Sequence, residues 1–183
     1  MYNVFQIVNW LRIRNAKDLA SKNVNAESLT QMKAMKLLYY IQGAYLAKFG
    51  KRLFDNDIVA WKFGPVVTEV YEKYKGKRSI VDEYTQEDIN DYELVQENTE
   101  VKNMLNQIYV VLGSYSASTL MHKTHNESPW KSTAQSCVIS DKKIKDYFVE
   151  TSFNDKLNKD FKERLFEETF LENKASMDWL KDR

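Results

Sequence analysis

The sequence predicts a mainly α-helical fold: a single compact helical domain around a buried central helix, with a C-terminal helical extension. Three observations predict it. Between Ala34 and Ala47 only Lys36 and Gln42 are strongly polar, and a helix apolar nearly all round belongs at the centre of its domain. Val101, Met104, Leu105, Ile108, Val111 and Leu112 recur at the spacing of one helical face. Asn3, Thr85, Ser128 and Ser140 each stand where a side chain can cap a helix.

The elements follow in order. Val4, Ile7, Val8 and Leu11 mark a first helix that Asn3 caps and that runs to about Ala20. Asn23, Asn25 and Ser28 break the pattern. The central helix starts near Thr30 and stops before Gly50, a left-handed C-terminal cap, with Tyr39, Tyr40 and Tyr45 satisfying their hydroxyls at its margins. From Lys51 to Gly64, the stretches Arg52-Leu53-Phe54 and Ile58-Val59-Ala60-Trp61 flank the turn formers Asp55-Asn56-Asp57, which predicts a minor two-stranded β element. Pro65 suits the first position of the next helix, where no N–H is needed. Val67, Val70, Tyr71 and Tyr74 continue that helix and Gly76 ends it.

Thr85-Gln86-Glu87-Asp88 resembles a capping box for a short helix. The 101–112 helix breaks near Gly113, and Ser116 to His125 continues helically. Ser128-Pro129-Trp130 combines a cap, a proline at the first position and an aromatic anchor. Ser140 opens a further helix with Ile144, Tyr147 and Phe148. Beyond residue 150, Leu157, Phe161 and Leu165 recur every four residues, and Phe166 and Phe170 extend the stripe. So narrow a stripe must dock on the domain, on a second copy or on a partner. The expected division is a helical domain over 1–149 and a helical extension over 150–183.

With 43% hydrophobic and 29% charged residues, the 183-residue chain has an ordinary globular composition. Its one cysteine, Cys137, excludes a disulfide framework and a cysteine-rich metal site, and is read as a small buried residue. No signal peptide or membrane span is visible, so a cytoplasmic protein without membrane attachment is expected. Net charge is +1 but unevenly spread. Residues 1–80 carry 14 basic against 6 acidic side chains, and 81–100 carry 8 acids and no base. That acidic block reads first as a solvated connector and otherwise as a charged docking surface.

The search for a reacting centre finds none. His122 and His125 share a helical face near Glu127, but no third ligand stands at a recognisable spacing, so no metal and no cofactor are expected. Neither GxGxxG nor GxxxxGK[ST] occurs. The chain reads as no enzyme. The basic first half, with Tyr39, Tyr40, Trp61, Tyr71 and Tyr74 interleaved, has the ingredients of a nucleic-acid binder. Those aromatics nevertheless sit mostly at core spacings and the pI is about 7.7, so nucleic acid is a disfavoured partner.

A string of motifs carries more. Lys36-Leu37-Leu38-Tyr39-Tyr40-Ile41-Gln42-Gly43 precedes Leu53-Phe54-Asp55 and Ala60-Trp61-Lys62-Phe63-Gly64-Pro65-Val66-Val67. Val70-Tyr71 and then Thr124-His125-Asn126-Glu127-Ser128-Pro129-Trp130 follow. Over about residues 4–148 this resembles the Panacea domain family of SocA-like antitoxins and phage-associated GepA-like proteins. The resemblance implies an α-helical antitoxin, in some cases prophage-borne, that neutralises a cognate protein toxin by direct binding. One branch of the family implies an adaptor delivering its toxin to a ClpXP-type protease.

Lys36, Tyr40, Gln42, Gly43, Phe54, Trp61, Gly64, Pro65, Val67, Tyr71, His125, Pro129 and Trp130 are the family-motif residues, read mainly as holders of the fold and partly as partner contacts. Gly64 before Pro65 relieves a sterically restricted position, and His125 is placed to bond the turn at Ser128-Pro129. Glu87, Asp88, Asp91 and Glu93 are the candidate charged docking surface for a basic toxin. The tail stripe leaves a homodimer open.

Overall fold

The computed structural model describes residues 1–21, 27–81 and 83–181, with side chains through residue 167. Asn23, Asn25 and the side chain of Phe170 lie outside the described residues. Among the described residues the helices are α1 (Val4–Ala20), α2 (Gln31–Phe49), α3 (Thr68–Tyr74), α4 (Gln86–Glu97), α5 (Thr99–Leu112), α6 (Ala117–His125), α7 (Ser128–Lys131), α8 (Asp141–Glu150) and α9 (Phe153–Lys181). The one sheet among the described residues is an antiparallel pair, β1 (Val59–Trp61) and β2 (Gly64–Val66). The fold is mainly α, as the periodicity requires.

Local chemistry sets the helix ends. The Asn3 side chain accepts from the Phe5 N–H while the Gln6 side chain accepts from the Asn3 N–H, a reciprocal box that starts α1. The Thr30 hydroxyl caps α2 through the Lys33 N–H, and Gly50 ends it at φ +70°, a conformation that side chains disfavour. Thr85 and Asp88 form the predicted box at the start of α4. Ser116 and Ser140 cap α6 and α8.

Helix α2 is the axis of the molecule. Ala34, Leu37, Leu38, Tyr39, Ile41 and Ala44 have no solvent exposure, because α1, α3, α5, α6, α8, α9 and β2 all pack around them. Helix α8 approaches closely at Gly43, where an added Cβ would lie 2.4 Å from the Phe148 ring. Phe148 thereby reaches Tyr39 and Tyr40, with ring centroids 5.6 and 6.1 Å away. Helix α9 starts on the same cluster through Phe153, 5.7 Å from Tyr40. It continues along α5 as far as Arg164, which donates to the Ser114 hydroxyl at 2.9 Å. Leu157 is buried, Phe161 half-buried and Phe166 is 72% exposed. The near end of the stripe therefore docks on the domain itself.

Several expectations are corrected. The hairpin lies later than Arg52–Trp61: Val59 pairs with Val66, Ala60 with Pro65 and Trp61 with Gly64, so the turn is Lys62-Phe63. Phe54 makes only an isolated bridge to Tyr2. Pro65 accordingly sits in β2, and α3 begins at Thr68. The reason is on the other side of β1. The Ala60 N–H donates to the Cys137 carbonyl at 2.9 Å and its carbonyl accepts from the Ser136 N–H at 2.7 Å. Both backbone groups of Ala60 face away from β2, so its opposite residue loses no ladder bond by being proline.

The same pairing lays the 136–139 stretch along β1, and Cys137 is exposed rather than buried. Helix α7 takes Glu127 as its N-cap position, one residue before the expected Ser128. The acidic block is no connector, because most of it forms α4, packed against α1. No helix among the described residues is long and apolar enough to cross a membrane.

Candidate functional site

The family-motif residues converge where α2 meets the hairpin and the α6–α7 turn. Lys36 has no solvent exposure, and its ammonium donates to the Pro65 carbonyl at 3.0 Å. Burial pushes its pKa down to about 8, because a low-dielectric surrounding disfavours the charged form. Gly64 lies against it at φ +98°, and a Cβ there would stand 2.7 Å from Lys36 Cε and 2.8 Å from Thr124 Oγ1. Only glycine satisfies both the turn and the contact.

Nearly two turns further along, Gln42 holds the chain that follows α2. Its amide nitrogen donates to the Phe54 carbonyl at 2.9 Å and its oxygen accepts from the Leu53 N–H at 2.9 Å. Phe54 is fully buried as a result. Tyr39 and Tyr40 were expected to place their hydroxyls at the helix margins. Both are instead buried, and they donate to the two carboxylate oxygens of Glu127 at 2.8 Å each. Burial raises the Glu127 carboxyl above its ordinary value, and the two hydroxyl donors only partly offset that.

The hairpin end is aromatic. Trp61 meets Tyr71 edge to face, centroids 4.8 Å apart, and its carbonyl accepts from the Trp130 indole N–H at 3.0 Å. His125 stacks on Trp130 at 4.1 Å and 14°, and among the described interactions it makes this contact rather than a bond to the Ser128-Pro129 turn. Its pKa is lowered by burial first and by the neighbouring charges of Lys36 and His122. Pro129 is buried and its carbonyl accepts from the Thr133 hydroxyl at 2.7 Å. Val67 is 1% exposed and leads into α3.

The acidic residues divide. Asp88 pairs with buried Arg12 at 3.0 Å. Partial burial pushes its carboxyl up, but the Thr85 N–H and Arg12 outweigh this and hold it below the usual range. Asp91 accepts from Asn9 at 2.8 Å. These two bind α4 to α1, and only Glu87 and Glu93 of the four are exposed.

Sequence reading missed the roles of Glu127, Arg12 and Phe148. Arg12 donates to the carbonyls of Ile80 and Glu83 and to the Asn9 side chain, which ties the loop after α3 to α1. An arginine within an apolar face was the available signal. For Glu127 the signal was two adjacent tyrosine hydroxyls in a helix where only Lys36 and Gln42 are otherwise strongly polar between Ala34 and Ala47. Among the described residues no group of three or more His, Cys, Asp or Glu could hold a metal ion.

Comparison with known proteins follows the same residues. The chain is 27% identical over 135 residues to Antitoxin SocA of Caulobacter vibrioides (strain NA1000 / CB15N), covering 66% of this chain and 72% of that protein. No solved structure matches it significantly. Residues 35–131 match the family described as Antitoxin SocA-like, Panacea domain; they run from the second turn of the buried helix through the hairpin to α7, and the chain belongs to that family.

Proposed function

We propose that this chain is the antitoxin of a toxin–antitoxin pair and neutralises a cognate protein toxin by binding it, with no catalytic step of its own. The observation that carries this reading is the use made of the motif residues. Lys36, Gln42, Tyr39, Tyr40 and Glu127 all bond to other parts of the same chain. Such an assembly builds a rigid platform, which suits stoichiometric binding and leaves affinity to surface anchors. Glu87 and Glu93 on α4 supply charge for orienting a basic toxin surface.

The test is a growth assay with the product of the neighbouring reading frame, expressed alone and with this chain, followed by co-purification. Arrest by the neighbour, rescue by this chain and a stoichiometric complex are expected. A harmless neighbour, or rescue without a complex, overturns the reading.

A second reading, an adaptor that delivers the toxin to a ClpXP-type protease, is favoured by α9. That helix has 29 residues, about 43 Å at 1.5 Å per residue, and carries exposed Phe166. Removing 168–183 leaves Phe153, Leu157 and Arg164 in place. Rescue that survives this truncation supports occlusion, whereas loss of toxin turnover with retained binding supports delivery.

A further inference from the structure

Beside the motif residues, α2, the hairpin and α3 enclose a groove of about 360 Å³. Met32, Met35, Val66 and the rings of Trp61, Tyr71 and Phe63 supply its apolar surface. The Trp61–Tyr71 pair is held edge to face, so that part of the wall is rigid, while the unbranched methionines can adapt to different side chains. Phe63 stands at the hairpin tip, 56% exposed. A large aromatic left in water on a tight turn is a poor contribution to folding and a strong potential anchor.

The electrostatics of the groove are one-sided. No carboxylate lines it, whereas two lysines do. Lys36 forms part of the lining and is bonded only to a carbonyl among its described hydrogen bonds. Lys62 is exposed on the rim, with its ammonium 5.6 Å from the Phe63 ring centroid. The backbone supports the site from behind: Ser136, on the far rim, holds φ +64° while its N–H donates to the Ala60 carbonyl. A non-glycine residue in that conformation persists only where its surroundings impose it. The larger cleft among α2, α5 and α9 offers a contrast. It is polar, and Asn154 and Gln107 in its lining are already engaged with Ala44 and Asn158.

We infer that this groove is the anchor site for the toxin: it takes an aliphatic or aromatic side chain from a toxin segment that carries an Asp or Glu beside it, with that carboxylate on Lys62. The apolar side chain packs between Phe63, Trp61 and Tyr71, and the positive rim selects acidic flanks over basic ones. This rests on the antitoxin reading above and adds which face binds and what chemistry it recognises.

The experiment measures the affinity of the purified neighbouring-frame product for the full chain, for Phe63→Ala, for Lys62→Glu and for the distant control Lys142→Glu. Phe63 and Lys62 are exposed, so unchanged thermal melting is expected of both variants. Phe63→Ala should weaken binding by about 30-fold or more. Lys62→Glu should weaken it by about tenfold, with recovery when the facing toxin acid is changed to lysine. A photo-crosslinker placed at position 63 should mark a toxin segment with an apolar residue next to Asp or Glu.

A complex that forms and tolerates both variants within about twofold overturns the inference and leaves the antitoxin reading standing. A crosslink to a basic segment also overturns it. Absence of any complex with the unmodified chain removes the antitoxin reading and the inference together.

Discussion

The Lys36 ammonium donates to the Pro65 carbonyl across 3.0 Å with no solvent access. That single bond ties the central helix to the second strand of the hairpin. It explains why a cation sits in an otherwise apolar helix and why glycine precedes the proline. The groove, the Trp61–Tyr71 pair and the exposed Phe63 all depend on where this contact sets the hairpin.

Its first consequence is a stability profile with a sign. The Lys36 pKa is lowered from 10.5 to about 8 by burial. Below pH 8 the ammonium is charged in both native and unfolded chains and its burial penalty is fully present. Between pH 8 and 10.5 the native state releases the proton first, so stability rises with pH. Relative to Lys36→Met, the unmodified chain should gain about 2 kcal/mol between pH 7 and 9.5, as read by urea unfolding of both proteins. Parallel curves would show that the ammonium is not buried in solution.

Glycine substitutions should separate conformation from contact. Gly64 and Gly76 both have positive φ, +98° and +78°, but a Cβ at Gly76 meets nothing within 4 Å. Gly76→Ala should cost about 1–2 kcal/mol, the left-handed penalty alone. Gly64→Ala adds the Lys36 and Thr124 collisions and should cost at least about 3 kcal/mol. Equal losses in thermal unfolding would remove the close approach from the account.

The Glu127 carboxylate predicts an opposite pH trend. Its pKa is raised by burial, so the native chain holds that proton longer than the unfolded one. Its contribution is greatest at low pH and declines as pH rises from 4.5 through the native value. The unmodified chain should therefore lose stability relative to Glu127→Gln over that range. Glu127→Ala leaves the Tyr39 and Tyr40 hydroxyls without their acceptor and should cost about 2–6 kcal/mol at neutral pH. A mild effect would mean that water replaces the carboxylate.

On α4, neutralising exposed groups should differ from neutralising internal ones. Glu87→Gln with Glu93→Gln should leave the melting temperature unchanged and slow toxin association severalfold at low salt. Asp88→Asn breaks the pair with buried Arg12 and should lower the melting temperature. An association rate insensitive to the glutamate changes would exclude α4 from steering.

Much of this protein was legible as a string. Helix α2 was readable because its apolar residues leave no polar face, and α4 and α8 because Thr85 and Ser140 carry capping chemistry into the backbone next to them. The motif strings also pointed to the family that residues 35–131 match. These are local facts: a helical period or a cap is complete within four or five residues.

What the string could not say depends on partners far along the chain. Nothing near Pro65 indicates that Ala60 uses both of its backbone groups on residues 136 and 137, and that pairing alone makes proline a strand residue there. Nothing near Tyr39 indicates that its acceptor is 88 positions away. Asp88 and Asp91 look like Glu87 and Glu93 until α1 arrives with Arg12 and Asn9. The sequence by itself determined most of the helices, through short-range periodicity and capping, and pointed to the family through its motif strings. The hairpin register, the buried Lys36 and Glu127 bonds and the groove were decided by tertiary structure, because a buried polar group must find its partner wherever packing brings one within hydrogen-bonding distance.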